Sequence, residues 1–191
     1  MSPTPARTSL DAITSAARAI LEEDGLDAVT MQAVAARVGV RAPSLYKHVA
    51  DRNALIRAVT EAVTDDLALA LRDTRGSRDP RGGLRAMARR YRTFVRANPA
   101  GYALLFTRLG PDQLPPETTM AALGRPIVTV VAQLVGEDRA LEAARTFVAW
   151  AHGFTSLELA GGFRLGGDLE AAYANGIELI LAGISEGAPR P

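Results

Sequence analysis

Residues Val38-Gly39-Val40-Arg41-Ala42-Pro43-Ser44-Leu45-Tyr46-Lys47-His48-Val49 constrain this chain more than any other stretch. A short apolar run, Thr30 to Arg37, leads into Gly39, and a second helix is expected to open at Pro43. Thr30 is placed to cap the first helix, a contact whose loss costs about 1 kcal/mol. Gly39 falls where the chain must reverse, a position that favours glycine because φ > 0 is needed there. Pro43 suits the first turn of the next helix, where its missing N–H is no loss. Val34, Ala35, Val38, Val40 and Leu45 are spaced to pack the two helices on one small core. This is the layout of a helix-turn-helix, whose second helix is built to enter a DNA major groove. An ordinary αα-hairpin is the bland alternative.

The side chains of the second helix speak against the hairpin. Arg41, Ser44, Tyr46, Lys47 and His48 are expected to project from about two turns, with Arg52 at the start of the following helix. Arg and Lys pair with phosphates or with guanine O6 and N7, and Ser and Tyr hydroxyls serve phosphates or base edges. Over residues 1–53 six Arg or Lys balance six Asp or Glu, but their placement is uneven. Glu22, Glu23, Asp24 and Asp27 cluster at the end of the first helix, while Arg37, Arg41, Lys47 and Arg52 surround the turn with Asp51 opposing them. The result is a local, modest basic footprint.

The run from Thr30 to Leu55 resembles the DNA-binding domain of the tetracycline-repressor (TetR) family. The likeness lies in the Gly-Val turn, the Pro-Ser-Leu-Tyr-Lys-His stretch and the Asp-Arg-Asn-Ala-Leu that opens the next helix. It extends back over Ser9 to Asp24, where Ile13, Ala16, Ala17, Ile20 and Leu21 form an apolar stripe. Carried over by position, the resemblance implies that Arg41, Ala42, Pro43, Ser44, Tyr46, Lys47 and His48 face the groove and that Thr30 and Arg52 contact phosphates. Ala42 departs from the family pattern, since a polar base-reading residue often stands there. Base readout at that position is therefore in question.

Length and composition fit one small domain, expected over 1–53, and a larger one over 54–191. With 48% hydrophobic residues the chain can bury a core, and a net charge of +1 argues against indiscriminate polyanion binding. The absence of cysteine removes disulfide, zinc-thiolate and thiol-nucleophile chemistry together. No apolar run is expected to reach the ~18 residues of a membrane span, and the N-terminus carries no signal-peptide core. A cytoplasmic protein with no membrane partner is the expectation.

The remainder reads as helices, giving an all-α chain of about nine. A long helix is expected from Asp51 to Asp73, and a Gly-, Arg- and Asp-rich loop from Thr74 to Gly83. Leu84 to Asn98 is amphipathic, with Leu84, Met87, Tyr91, Phe94 and Val95 on its apolar face. Arg85, Arg89, Arg92 and Arg96 follow at spacings of four, three and four, and are expected to form a solvated face. Pro99 opens a short helix through Leu109, and Pro115-Pro116 precedes a helix ending near Val135. Within it, Ile127 to Val131 is read as a buried half rather than a strand, with Pro126 a candidate kink.

Two helices are expected at the end, Asp138 to Gly162 and Asp168 to Ser185. The first carries Phe147, Trp150, Phe154 and Leu157 on one stripe and Val148, His152, Thr155 and Leu159 on another. The second carries Tyr173, Ile177, Ile180 and Ile184 on one face, with Gly176 and Gly183 inside it. A helix-interior glycine costs about 1 kcal/mol, which close packing of another helix would explain. The pair resembles the dimerisation helices of TetR proteins, and the run around Trp150-Ala151-His152-Gly153 resembles the Trp-His-Gly signature of one subgroup. The resemblance implies a homodimer, with Tyr173, Gly176, Ile180 and Gly183 as interface residues.

No His-Glu-x-x-His spacing, phosphate loop or nucleophile elbow is present, so neither an enzyme nor a metal or cofactor site is expected. The reading is a homodimeric transcriptional regulator, a repressor on a near-palindromic double-stranded operator. A small hydrophobic or aromatic effector would release it, with Tyr91, Phe94, Phe106, Phe147, Trp150, His152 and Phe154 as the candidate lining, and core or interface packing as the alternative for Trp150 and His152. The alternative is a DNA-binding regulator whose C-terminal domain only dimerises or recruits a partner, or an activator.

Overall fold

The computed structural model describes residues 8–72 and 79–186. Among these the expected all-α architecture is found, with nine α-helices and no strand. The helices are α1 (Leu10–Asp24), α2 (Met31–Val38), α3 (Ala42–Leu45), α4 (Arg52–Arg72), α5 (Pro80–Ala97), α6 (Pro99–Leu104), α7 (Glu117–Val135), α8 (Glu137–Leu159) and α9 (Leu169–Glu186). They form two compact units, residues 1–65 with 98–120, and residues 66–97 with 121–191.

The first unit is built around the apolar stripe of α1. Ser9 caps that helix by accepting from Ala12 N at 3.1 Å. Ile13, Ala17, Ile20 and Leu21 of α1 are buried together with Val34, Ala35, Leu45, Val49, Leu55, Ile56 and Val59. Val38 and Val40 are only half-buried, at the edge of this core. Two polar links tie α6 to α1. Arg18 Nη2 donates to Asn98 Oδ1 at 2.7 Å, and the Glu22 carboxylate accepts from Ala100 N at 2.9 Å and Gly101 N at 2.8 Å. The latter bonds occupy backbone donors that the first turn of a helix leaves without internal partners.

In the second unit α5 starts at Pro80, earlier than expected. Asp79 accepts from Arg81 N and Gly82 N, both at 3.0 Å, and Pro80 supplies a preset φ for the first turn. The cap carries Gly82 and Gly83, expected in a loop, into the helix. The part of that loop from Thr74 to Arg78 lies outside the described residues.

The four-arginine face of α5 needs correction. Arg92 is buried, at 4% exposure. Counting 100° per residue, Arg92 lies about 80° from Leu84 and only about 40° from Ala88, at the border of the buried stripe. Its Nε and Nη2 donate to Glu158 at 2.8 and 2.7 Å, and its Nη1 donates to Glu170 at 2.7 Å. Arg85 pairs with Glu178 and Arg96 with Glu170. Three of the four arginines therefore tie α8 or α9 to α5, with Arg92 buried and Arg96 still exposed.

By length and composition alone α7 is apolar enough to cross a membrane, but Arg125 interrupts its apolar run short of the ~18 residues of a span. Ile127 and Val131 are buried, and the β-branched run is helical as expected.

Candidate nucleic-acid interface

Helix α2 begins with the expected cap, Thr30 Oγ1 accepting from Ala33 N at 3.1 Å. It ends at Gly39, which takes the left-handed conformation with φ 78° and ψ 29°. Val40 N reaches back to Ala35 O at 2.9 Å, closing the turn. A β-carbon at residue 39 would strain that backbone, which is why glycine stands there.

The reading helix is shorter than expected. Only Ala42–Leu45 is α-helical, with Arg41 extended before it and Pro43 in its first turn. One further turn follows, in which His48 N and Val49 N both donate to Leu45 O, at 2.8 and 3.0 Å. Leu45 and Val49 are buried and act as two pins on the core. The residues on the other side are thereby turned outward. Arg41, Pro43, Tyr46, Lys47 and His48 are exposed, and Ala42 and Ser44 are half-buried. The phenol of Tyr46 stands out at 54% exposure. An exposed aromatic beside two cations has no role in the core, and suits a contact with phosphate, sugar or base edge.

Two basic residues of the footprint are engaged elsewhere. Arg37 pairs bidentately with Glu23 through both terminal nitrogens. Their hydrogen bond holds the Glu23 carboxyl below its ordinary value and raises that of Arg37. Arg52, expected on a phosphate, donates from Nε to Val29 O and from Nη2 to Leu26 O, each at 2.7 Å. It braces the 3-10 turn Leu26–Ala28 and the segment leading into α2. Asp51 accepts from Ala54 N at 2.8 Å and caps α4. Arg41, Lys47 and His48 are left as the outward cationic or protonatable set of this surface.

The other candidates fall in two places. Phe106 belongs to the first unit, where it is exposed and tilted on Tyr102 with centroids 5.1 Å apart. Phe147, Trp150 and Phe154 of α8 pack in the second unit with Tyr173 and Phe163. Trp150 lies 5.1 Å from Tyr173 in a stacked pair, and Phe154 lies 5.0 Å from Tyr173 and 4.8 Å from Phe163. Tyr91 is buried, and Phe94 and His152 are half-buried. Tyr173, expected at an interface, is buried within the protomer and donates its hydroxyl to Ala88 O at 2.8 Å. Gly176 faces Trp150, while Ile180 is half-buried and Gly183 is exposed. Among the described residues no group of three or more His, Asp or Glu is placed to hold a metal ion.

Residues 13–59 match the family of bacterial regulatory proteins of the tetR type, and residues 84–180 match the tetracyclin repressor-like C-terminal domain. An uncharacterized HTH-type transcriptional regulator of Mycobacterium tuberculosis is 35% identical over 162 residues, covering 82% of this chain and 73% of that protein. Among solved structures, a Rhodococcus protein of unknown function superposes with a TM-score of 0.82 at 23% identity, over 97% of this chain and all of that one. A TetR variant from Acinetobacter baumannii, in complex with minocycline, superposes with a TM-score of 0.69 at 22% identity, over 94% of this chain and 98% of that one. The capped α2, the left-handed Gly39 turn and the outward Arg41–His48 segment fall within the first matched region, and the α5, α8 and α9 packing falls within the second. The chain belongs to the TetR family of DNA-binding transcriptional regulators.

Proposed function

We propose that the chain is a homodimeric repressor, with a reading head over 1–53 and an effector and dimerisation domain over 54–191. Each subunit presents Arg41 to His48 to one half-site of a near-palindromic operator. The observation that carries this is the outward set Arg41, Tyr46, Lys47 and His48 above the buried pins Leu45 and Val49. Lys47 serves phosphate, and Arg41 and Tyr46 set register or base preference.

Pairing is supported by the apolar side chains that α8 and α9 leave exposed. Leu141, Val148 and Leu159 fall within about 20° of one direction on α8, and Leu179 and Gly183 within about 40° on α9. All five are exposed, and neighbouring apolar stripes of this kind suit a four-helix bundle with a second copy.

A small-molecule effector is supported by the minocycline complex of the similar A. baumannii protein. The close packing of Trp150 on Tyr173 favours a second reading for the aromatic stripe itself, as core rather than ligand lining. We assign no catalytic role to the chain and place its work in the cytoplasm.

Selection of preferred duplexes from random DNA tests the proposal. The expected product is an enriched sequence with two-fold symmetry, bound by the wild type and weakened by Tyr46→Ala and by Lys47→Ala. No enrichment, or unchanged affinity in both variants, would overturn it.

A further inference from the structure

A cleft of about 550 Å3 opens along α5 and α9, lined by Arg89, Arg92, Arg96, Glu170, Tyr173 and Ile177 among others. Its size is within the range of small-molecule sites. The floor is apolar and firm, since Tyr173 and Ile177 are buried. One wall is a row of three guanidiniums on successive turns of α5. Arg92 is fixed from behind by the bidentate Glu158 and by the faces of Tyr173 and Phe154, 4.8 and 5.8 Å from their ring centroids.

Glu170 is the informative residue. Its two oxygens are divided between Arg92 Nη1 at 2.7 Å and Arg96 Nη1 at 2.9 Å, so the wall is already shaped to hold a bridging carboxylate. The Glu170 side chain is 70% exposed, so it can swing into water without leaving an apolar cavity. Arg92 would keep Glu158 when Glu170 leaves. Along this side of α5 the four arginines Arg85, Arg89, Arg92 and Arg96 face three carboxylates, Glu158, Glu170 and Glu178, which leaves an excess of positive charge.

We propose that this cleft binds an anionic amphiphile, a monocarboxylate carrying an apolar body. The ligand carboxylate replaces Glu170 across Arg92 and Arg96, with Arg89 as an additional donor, and the apolar body lies over Ala97 and Ala174, above the buried Tyr173 and Ile177. Paired, charge-assisted hydrogen bonds from guanidinium suit a carboxylate better than a neutral hydroxyl. The cleft also stays open in a dimer, because Ala174 lies about 140° around α9 from Leu179. Binding is read on the free protein, so its failure and that of the DNA-binding assignment are separable.

Equilibrium dialysis of the full chain against dodecanoate below its micelle concentration, with Trp150 emission followed in parallel, tests the site. Trp150 stacks on Tyr173 in the cleft floor, so its emission should shift with saturation. Arg89→Ala and Arg96→Ala should each weaken binding about tenfold, the loss of one hydrogen bond between charged groups. Glu170→Gln should tighten it, because the competing carboxylate is gone. Dodecanol binding as well as dodecanoate would overturn the proposal, as would unsaturable uptake or a weaker Glu170→Gln variant.

Discussion

Trp150 occupies the space that a side chain at residue 176 would need. A β-carbon built on Gly176 stands 2.5 Å from Trp150 Cζ2 and 3.1 Å from Cε2. The close approach that a helix-interior glycine suggests is therefore made here by an indole of the same protomer. The indole is held in turn by its stack on Tyr173.

Replacing Gly176 by alanine should therefore destabilise the fold. In an open helix the change would gain about 1 kcal/mol of helix propensity, whereas overpacking costs about 1–3 kcal/mol. The expected outcome is a lower midpoint in denaturant for Gly176→Ala, with a smaller drop when the same change is made on a Trp150→Ala background, since neighbouring changes couple. A raised midpoint in the single variant would show that the indole moves aside freely.

The Arg92–Glu158 pair gives a pH signature. Hydrogen bonding from Arg92 holds the Glu158 carboxyl below its ordinary value of 4.5. The unfolded chain then binds that proton more readily than the folded one, so the contribution is present above the ordinary value and is lost as pH falls through the folded value. Both partners are largely buried, at 5% and 13% side-chain exposure, and removing one partner of a buried pair costs about 3–5 kcal/mol. Thermal unfolding of the wild type should fall in midpoint below about pH 5. Glu158→Gln should be less stable at neutral pH and show a flatter acid limb. An acid limb as steep as that of the wild type would assign the dependence to other carboxyls.

Arg52 and Lys47 should separate into two behaviours. Lys47→Ala leaves the fold intact, weakens all duplexes alike and lowers the slope of log affinity against log salt by about one unit. Arg52→Ala releases the carbonyls of Leu26 and Val29. Stability should fall by about 1–3 kcal/mol, the range for leaving such groups unsatisfied, with the salt slope little changed. A full unit lost from that slope in Arg52→Ala would return the residue to the phosphate contacts.

These contrasts follow from which interactions are local. Thr30, Gly39 and Leu45 were legible because a cap, a left-handed turn and a helical stripe are written within a few residues. The role of Arg52 was not, since its carbonyl partners lie 23 and 26 positions earlier. Arg92 resembled its neighbours in the row until α8 and α9 brought acids from 66 and 78 positions away. The aromatic stripe on α8 was visible in the sequence, but not what it faces, because helical spacing identifies a buried side without naming its neighbour.

Gly183 provides the sharpest test of pairing. A β-carbon there meets nothing within 4 Å in the protomer, so a larger residue should not disturb the subunit, and helix propensity alone favours it by up to about 1 kcal/mol. In the proposed dimer the same position lies on the stripe with Leu179, where added bulk forces the two copies apart. Gly183→Leu should therefore keep or raise the unfolding midpoint measured under dissociating, dilute conditions. It should also shift sedimentation towards monomer and weaken operator binding, because one head reaches only one half-site. An intact dimer with undiminished operator affinity would remove this face of α9 from the interface and move the pairing surface elsewhere on the second unit.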